Sequence, residues 1–185
     1  MADGRATFWP TVLLGAAAAA LTAAASSRDW AVAAGDVPGV AGSGVARGSD
    51  AAPLTLALSL VALAGWGAML VVRRRARRVF AALGLLASAG AAAAAAFAGD
   101  RALQLAREGA VGTSVQADLT SWFYVARVAA IVCAAAFLVA LMRSAAWPEM
   151  SAKYDAPGAP PGSTGREPDQ TDLWKALDDG RDPTV

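Results

Sequence analysis

Four long apolar runs divide the chain: Phe8–Ala25, Pro53–Val72, Val79–Ala98 and Ser121–Met142. Polar stretches of unequal length separate them, and a polar tail, 144–185, follows the last. Within each run the apolar residues are bunched, without the helical or alternating period of an element that has one wet face. A run of about 20 such residues is what a hydrocarbon layer roughly 30 Å thick asks of a helix rising about 1.5 Å per residue. The pattern predicts an all-α fold. A four-helix transmembrane bundle occupies residues 1–143, and a flexible cytoplasmic tail ends in a short amphipathic helix.

The ends of the runs carry signals of their own. Trp9-Pro10 opens the first run. Proline is tolerated in a first helical turn, where its missing N–H has no partner to lose, and tryptophan suits the membrane interface. A rival reading makes this run a cleaved signal peptide, because Thr22–Ser26 is a string of small residues. The leading segment lacks a positive cluster, Asp3 cancelling Arg5, which favours a retained span. Pro53 opens the second run, and Gly65-Trp66-Gly67 interrupts it. Small residues there predict close helix packing rather than a substrate-facing break. The third run ends in six alanines, Ala91–Ala96. Alanine favours helix but is only weakly hydrophobic, so this span belongs inside a bundle. Gly84 and Ser88, four apart, form a small-residue pair on it. Trp122-Phe123-Tyr124 opens the fourth run as an aromatic belt.

The two longer connections are less decided. Residues 26–52 have room for a short hairpin or an interfacial segment, and Trp30 reads as an interfacial belt residue. In residues 99–120, Asp100–Glu108 reads as a short helix with Gly109 as its stop.

Charge sets the orientation. Arg73, Arg74, Arg75, Arg77 and Arg78 crowd the connection between the second and third runs, whereas each of the other two connections carries two arginines offset by acids. Basic residues beside span ends mark the cytoplasmic side. The reading is therefore a multi-pass protein of the cell membrane with both termini in the cytoplasm, and the lipid bilayer is its first partner. Net charge is +1, which gives no global basic field and no reason to expect a nucleic acid.

Chemistry is sparse. Hydrophobic residues make up 56% of the chain and charged residues 17%. There is no histidine, and a single cysteine, Cys133, lies in an apolar run. The commonest general base and the commonest metal ligand are both missing. No phosphate-binding glycine loop, nucleophile elbow, zinc spacing or paired carboxylate within a span is present. These features predict no catalytic residue, no metal and no cofactor, so the chain is read as not an enzyme. One ionisable residue lies within a span. Arg127 follows Ser121 by six residues, roughly 9 Å in at the helical rise. It has to snorkel or find a partner, and Asp29, Asp100 and Asp118 share its side in this topology. It is the candidate intramembrane polar site, either as a snorkelling arginine or as a contact for a carboxylate or other anion.

In the tail, Pro157–Pro168 is a Pro/Gly/Ser-rich linker, and Asp169–Gly180 reads as a helix capped by Asp169 or Thr171 and stopped by Gly180. Leu173, Trp174 and Leu177 share one face. A helix this short is unstable alone in water. Its apolar face predicts folding against a partner, and because the tail is net acidic the partner is a cytoplasmic protein surface rather than anionic lipid. A homo-oligomer is also compatible with the pattern.

Two tail segments carry a likeness. Trp147-Pro148-Glu149-Met150-Ser151-Ala152-Lys153-Tyr154-Asp155-Ala156-Pro157 and Asp172-Leu173-Trp174-Lys175-Ala176-Leu177-Asp178-Asp179-Gly180-Arg181-Asp182-Pro183-Thr184 resemble the ending of the actinobacterial Trp biosynthesis-associated membrane proteins. The four-span layout with a central arginine cluster is similar as well. The resemblance implies an integral membrane protein encoded among tryptophan biosynthesis genes and brings no catalytic or ligand-binding residue with it. Two functions follow as expectations. One is an accessory or tethering protein without catalysis of its own. The other is an exporter or permease component for tryptophan or a pathway intermediate.

Overall fold

The computed structural model describes residues 2–35, 43–72, 74–112 and 114–143. Arg73 and the tail residues Leu173, Trp174 and Leu177 lie outside the described residues. The elements in order are α1 (Ala2–Ser26), β1 (Asp29–Ala34), β2 (Ser43–Arg47), α2 (Gly48–Ala51), α3 (Pro53–Val71), α4 (Arg74–Phe97), α5 (Gly99–Glu108), β3 (Gln116–Leu119) and α6 (Ser121–Arg143).

Helices α1, α3, α4 and α6 each contain a stretch long and apolar enough to cross a membrane: Thr7–Ser26, Pro53–Val71, Ala76–Phe97 and Ser121–Arg143. They run alternately up and down and pack in a ring, α1 beside α3, α3 beside α4, α4 beside α6 and α6 beside α1. The predicted four-helix transmembrane bundle is therefore the architecture of this chain.

Its interior inverts the soluble pattern. The buried positions of α3 are Thr55, Ser59, Ala62, Trp66 and Met69, spaced four and three apart. Those of α6 include Ala126, Ala129, Ala130, Cys133, Ala136 and Ala140. The large aliphatics Leu13, Leu60, Leu83, Leu86, Val128 and Ile131 point outward. In hydrocarbon there is no gain in hiding leucine, so small residues that let backbones approach take the inside.

The central contact is aromatic. Trp66 and Phe137, on the diagonally opposed α3 and α6, stack with ring centroids 4.2 Å apart and planes 24° apart. Glycines make room on the other two helices. A Cβ on Gly15 would fall 2.0 Å from Trp66, and one on Gly84 would fall 2.2 Å from Phe137. The glycines flanking Trp66 are not the ones that permit this packing. Gly67 faces open space, Gly65 meets Phe137 only at ordinary contact distance, and α3 runs unbroken through both.

Two helix starts differ from the sequence reading. α1 begins at Ala2, so Pro10 lies inside the helix rather than in its first turn. α4 begins at Arg74, five residues before the apolar run, so most of the arginine cluster is helical rather than a loop. The backbone continues its intrahelical bonding through these residues because arginine is a good helix former.

The end of the bundle away from that cluster carries a folded cap. β1 pairs antiparallel with β2 on one side and with β3 on the other, giving strand order β2-β1-β3. Val32 lies opposite both Val45 and Asp118. Of the two readings open for the first connection, the hairpin is the one adopted, and β3 arrives from the second connection to complete the sheet. α5 packs on all three strands through Ala102 and Ala106. It approaches so closely that a Cβ on Gly44 would fall 1.9 Å from the carbonyl oxygen of Ala106. As expected from the sequence, α5 covers all of Asp100–Glu108, starting one residue earlier at Gly99, and stops at Gly109. The all-α reading describes the bundle, and the cap adds a small sheet to it.

Candidate functional site

Three places in the described residues hold polar or aromatic groups where apolar packing would be the default. The first lies where the cap meets the bundle. Trp30 reads from sequence as an interfacial belt residue, and the structure corrects this. Its side chain is fully buried, donates its indole N–H to the carbonyl of Ala25 at 2.9 Å, and meets Phe123 edge-on at 5.4 Å. The correction has a physical cause. The bulge between Asp29 and Ala31 and the pairing of Thr120 N–H with the Trp30 carbonyl at 2.8 Å turn this residue under the sheet, where α6 supplies an aromatic floor. The belt role stays with Trp122 and Tyr124, both exposed.

Arg127 stands one helical turn below Phe123, with its guanidinium 5.3 Å from the centre of the Phe123 ring. It is half-buried. None of the three acids that share its side pairs with it among the described residues. Asp29 instead faces Arg47 at 3.7 Å, on the open surface of the hairpin. A ring one turn away is the nearer partner because (i, i+4) residues share a helix face, and the π-face offers negative potential without needing desolvation of a carboxylate.

The second place is the bundle centre. Thr22, Ser59, Ser88 and Cys133 converge from all four helices around a void of about 150 Å³ too narrow for a water molecule. All three hydroxyls are satisfied by their own helices: Thr22 donates to the Ala18 carbonyl at 2.8 Å, Ser59 to that of Leu56 at 2.7 Å and Ser88 to that of Gly84 at 2.8 Å. That is the usual way a hydroxyl is carried inside a membrane helix. Thr55 Oγ1 finds no partner among the described residues, and the indole N–H of Trp66 faces the Cys133 thiol.

The third place is the opposite end. Arg77 is 6% exposed, and its guanidinium lies 5.6 Å from the centre of the Phe8 ring of α1. The sequence reading, which takes it as a topology determinant, places it at a wet loop. A signal for its burial was present in the sequence. Arg77 begins the stripe Ala81, Gly84, Ser88, Ala91 and Ala95, spaced four and three apart, which is the buried face of α4. Arg78, by contrast, is exposed.

The fold and these sites define a class: a four-span integral membrane protein with a compact extramembrane cap and a closely packed interior. Within that class the sequence profile of the tryptophan-associated transmembrane protein family matches residues 12–184, and the chain belongs to that family. The match agrees with the likeness read from the tail segments. No curated protein and no solved structure matches the chain.

Proposed function

We propose that this protein is an accessory membrane protein of tryptophan biosynthesis, without catalysis of its own, that tethers a cytoplasmic partner through its C-terminal tail. The observation that supports the reading is the interlock at the bundle centre. Trp66 and Phe137 fill the space between α3 and α6, with Gly15 and Gly84 closed onto their rings. A core held this way suits a fixed anchor better than a carrier that must part its helices. The arginine excess at the end opposite the cap supports placing the tail in the cytoplasm and the cap outside. The test is crosslinking in cells and affinity capture, comparing the native tail with Trp174→Ala. A tryptophan-pathway enzyme captured by the first and lost from the second supports tethering. Identical partners with and without Asp169–Val185 would sink it.

A second reading, an exporter for tryptophan or a pathway acid, draws on the half-buried cation Arg127. It requires that Arg127→Ala lower efflux of labelled tryptophan or of a labelled pathway acid. Unchanged efflux removes the only residue on which this reading stands.

A further inference from the structure

A groove runs along the outside of the seam between α1 and α6. It encloses about 520 Å³ and is lined by Leu14, Ala17, Ala18 and Leu21 from α1 and by Tyr124, Val125, Val128, Ala129 and Val132 from α6. Every lining group except the Tyr124 hydroxyl is apolar. Leu14 to Leu21 covers roughly 10 Å and Tyr124 to Val132 about 12 Å at the helical rise. The hydrocarbon of one leaflet is about 15 Å deep, half the full layer. The groove therefore occupies most of the leaflet on the cap side and stops near the midplane.

The upper end is charged. Arg28 continues the stripe of Leu14, Ala18, Leu21 and Ala25 just past the end of α1, and its guanidinium lies 5.4 Å from the centre of the Trp122 ring at the start of α6. This contact bridges the two walls of the seam above the groove. Arg28 is exposed, and the neighbouring acid, Asp29, is turned toward Arg47. A cation on an aromatic shelf above an apolar slot one leaflet deep matches a phospholipid, with its acyl chain below and its phosphate above. The rim disfavours a helix of a second copy. Leu14, Leu21, Tyr124 and Val128 are 57%, 45%, 54% and 60% exposed. Large residues at the lips hold a helix about 10 Å across away from the small residues on the floor, where close helix contact would have to form.

We propose that the α1–α6 groove is a binding site for one anionic phospholipid of the cap-side leaflet, an acyl chain lying between Leu14 and Val128 and the headgroup phosphate on Arg28. The site fixes α6 against α1 beneath the cap, so lipid occupancy steadies the cap–bundle junction.

The experiment is native mass spectrometry of the full chain released from detergent. Dioleoyl phosphatidylglycerol and dioleoyl phosphatidylcholine are the probes. The wild type is expected to retain one phosphatidylglycerol in preference to phosphatidylcholine. Arg28→Gln, which removes one charge-assisted contact, should reduce that preference roughly tenfold. Ala17→Trp, at an exposed position, fills the groove and should lose both lipids. Val128→Trp does the same from the opposite wall and guards against a folding defect in the first variant. Equal retention of the two lipids by the wild type overturns the proposal, as does an undiminished preference in Arg28→Gln or undiminished retention in both tryptophan variants. A crosslinked pair of chains that both tryptophan variants dissolve would assign the groove to a second copy instead.

Discussion

Trp66 and Phe137 stack 4.2 Å apart across the diagonal of the bundle, each seated against a glycine of a different helix. One contact thereby ties together all four spans. Aromatic stacking contributes about 0.5–1.5 kcal/mol beyond the area it covers, and in hydrocarbon the fit of the rings into glycine notches carries most of the packing. This relationship governs how the bundle should respond to substitution.

The glycine notches should be intolerant of a single methyl group. Gly15→Ala and Gly84→Ala place a Cβ inside contact distance of a ring that has no room to retreat, and each should lose about 1–3 kcal/mol. Gly67→Ala, facing open space, should be neutral. Thermal unfolding in detergent separates the three. Equal melting temperatures for Gly84→Ala and Gly67→Ala would show that the rings are not wedged.

The two rings themselves should differ. Phe137→Ala opens a cavity and should lose about 3–5 kcal/mol. Trp66→Phe keeps a ring in the stack and loses part of the indole's volume together with the N–H that meets the Cys133 thiol, so it should cost less than emptying the site. The expected order of melting temperatures is wild type, Trp66→Phe, then Phe137→Ala. A Trp66→Phe protein as weak as Phe137→Ala would mean that a ring kept in the stack does not preserve the contact.

At the cap, Gly44→Ala should do more damage than Trp30→Phe. The first forces β2 off the Ala106 carbonyl and separates α5 from the sheet. The second loses the hydrogen bond to Ala25, about 1 kcal/mol, and leaves most of the ring contact with Phe123 in place. Limited proteolysis applied from the cap side should cleave Gly44→Ala between β1 and α3 while the spans stay intact. Resistance equal to wild type would contradict the close strand–helix approach.

Topology is open to a direct test because the only cysteine is silent. Cys133 is 1% exposed, in the middle of α6. An introduced cysteine at Gln116, exposed on β3, should react with an impermeant thiol reagent in intact cells, and one in the tail only after permeabilisation. Labelling of the tail in intact cells would reverse the orientation drawn from the arginines.

Arg127→Ala should lose only the cation–ring contact with Phe123, about 0.5–2 kcal/mol, and should leave tryptophan efflux unchanged. A fall in efflux with normal protein levels would move the functional reading from the tail to the bundle.

By itself the sequence determined the number and position of the spans, because crossing hydrocarbon takes about 20 apolar residues in a row whatever the neighbours are. It determined the family through the tail segments, and it located α5, whose stop at Gly109 and polar outer face are local signals. It also placed Arg127 at its depth within α6. The rest was decided by contacts between residues far apart in the chain. Half of β1 is alanine, a poor strand former, and it becomes a strand only because β2 and β3, the latter more than 80 residues away, pair with it. That pairing turns Trp30 inward, where its amphipathic character alone had suggested the interface. Which ring Trp66 meets, which glycines must stay bare and that Phe8 covers Arg77 all depend on the order of helices around the bundle. In a span bounded by lipid, hydropathy is nearly uniform around the helix, so it does not mark the face that packs. Only the fitting of large residues against small ones across neighbouring helices selects that face.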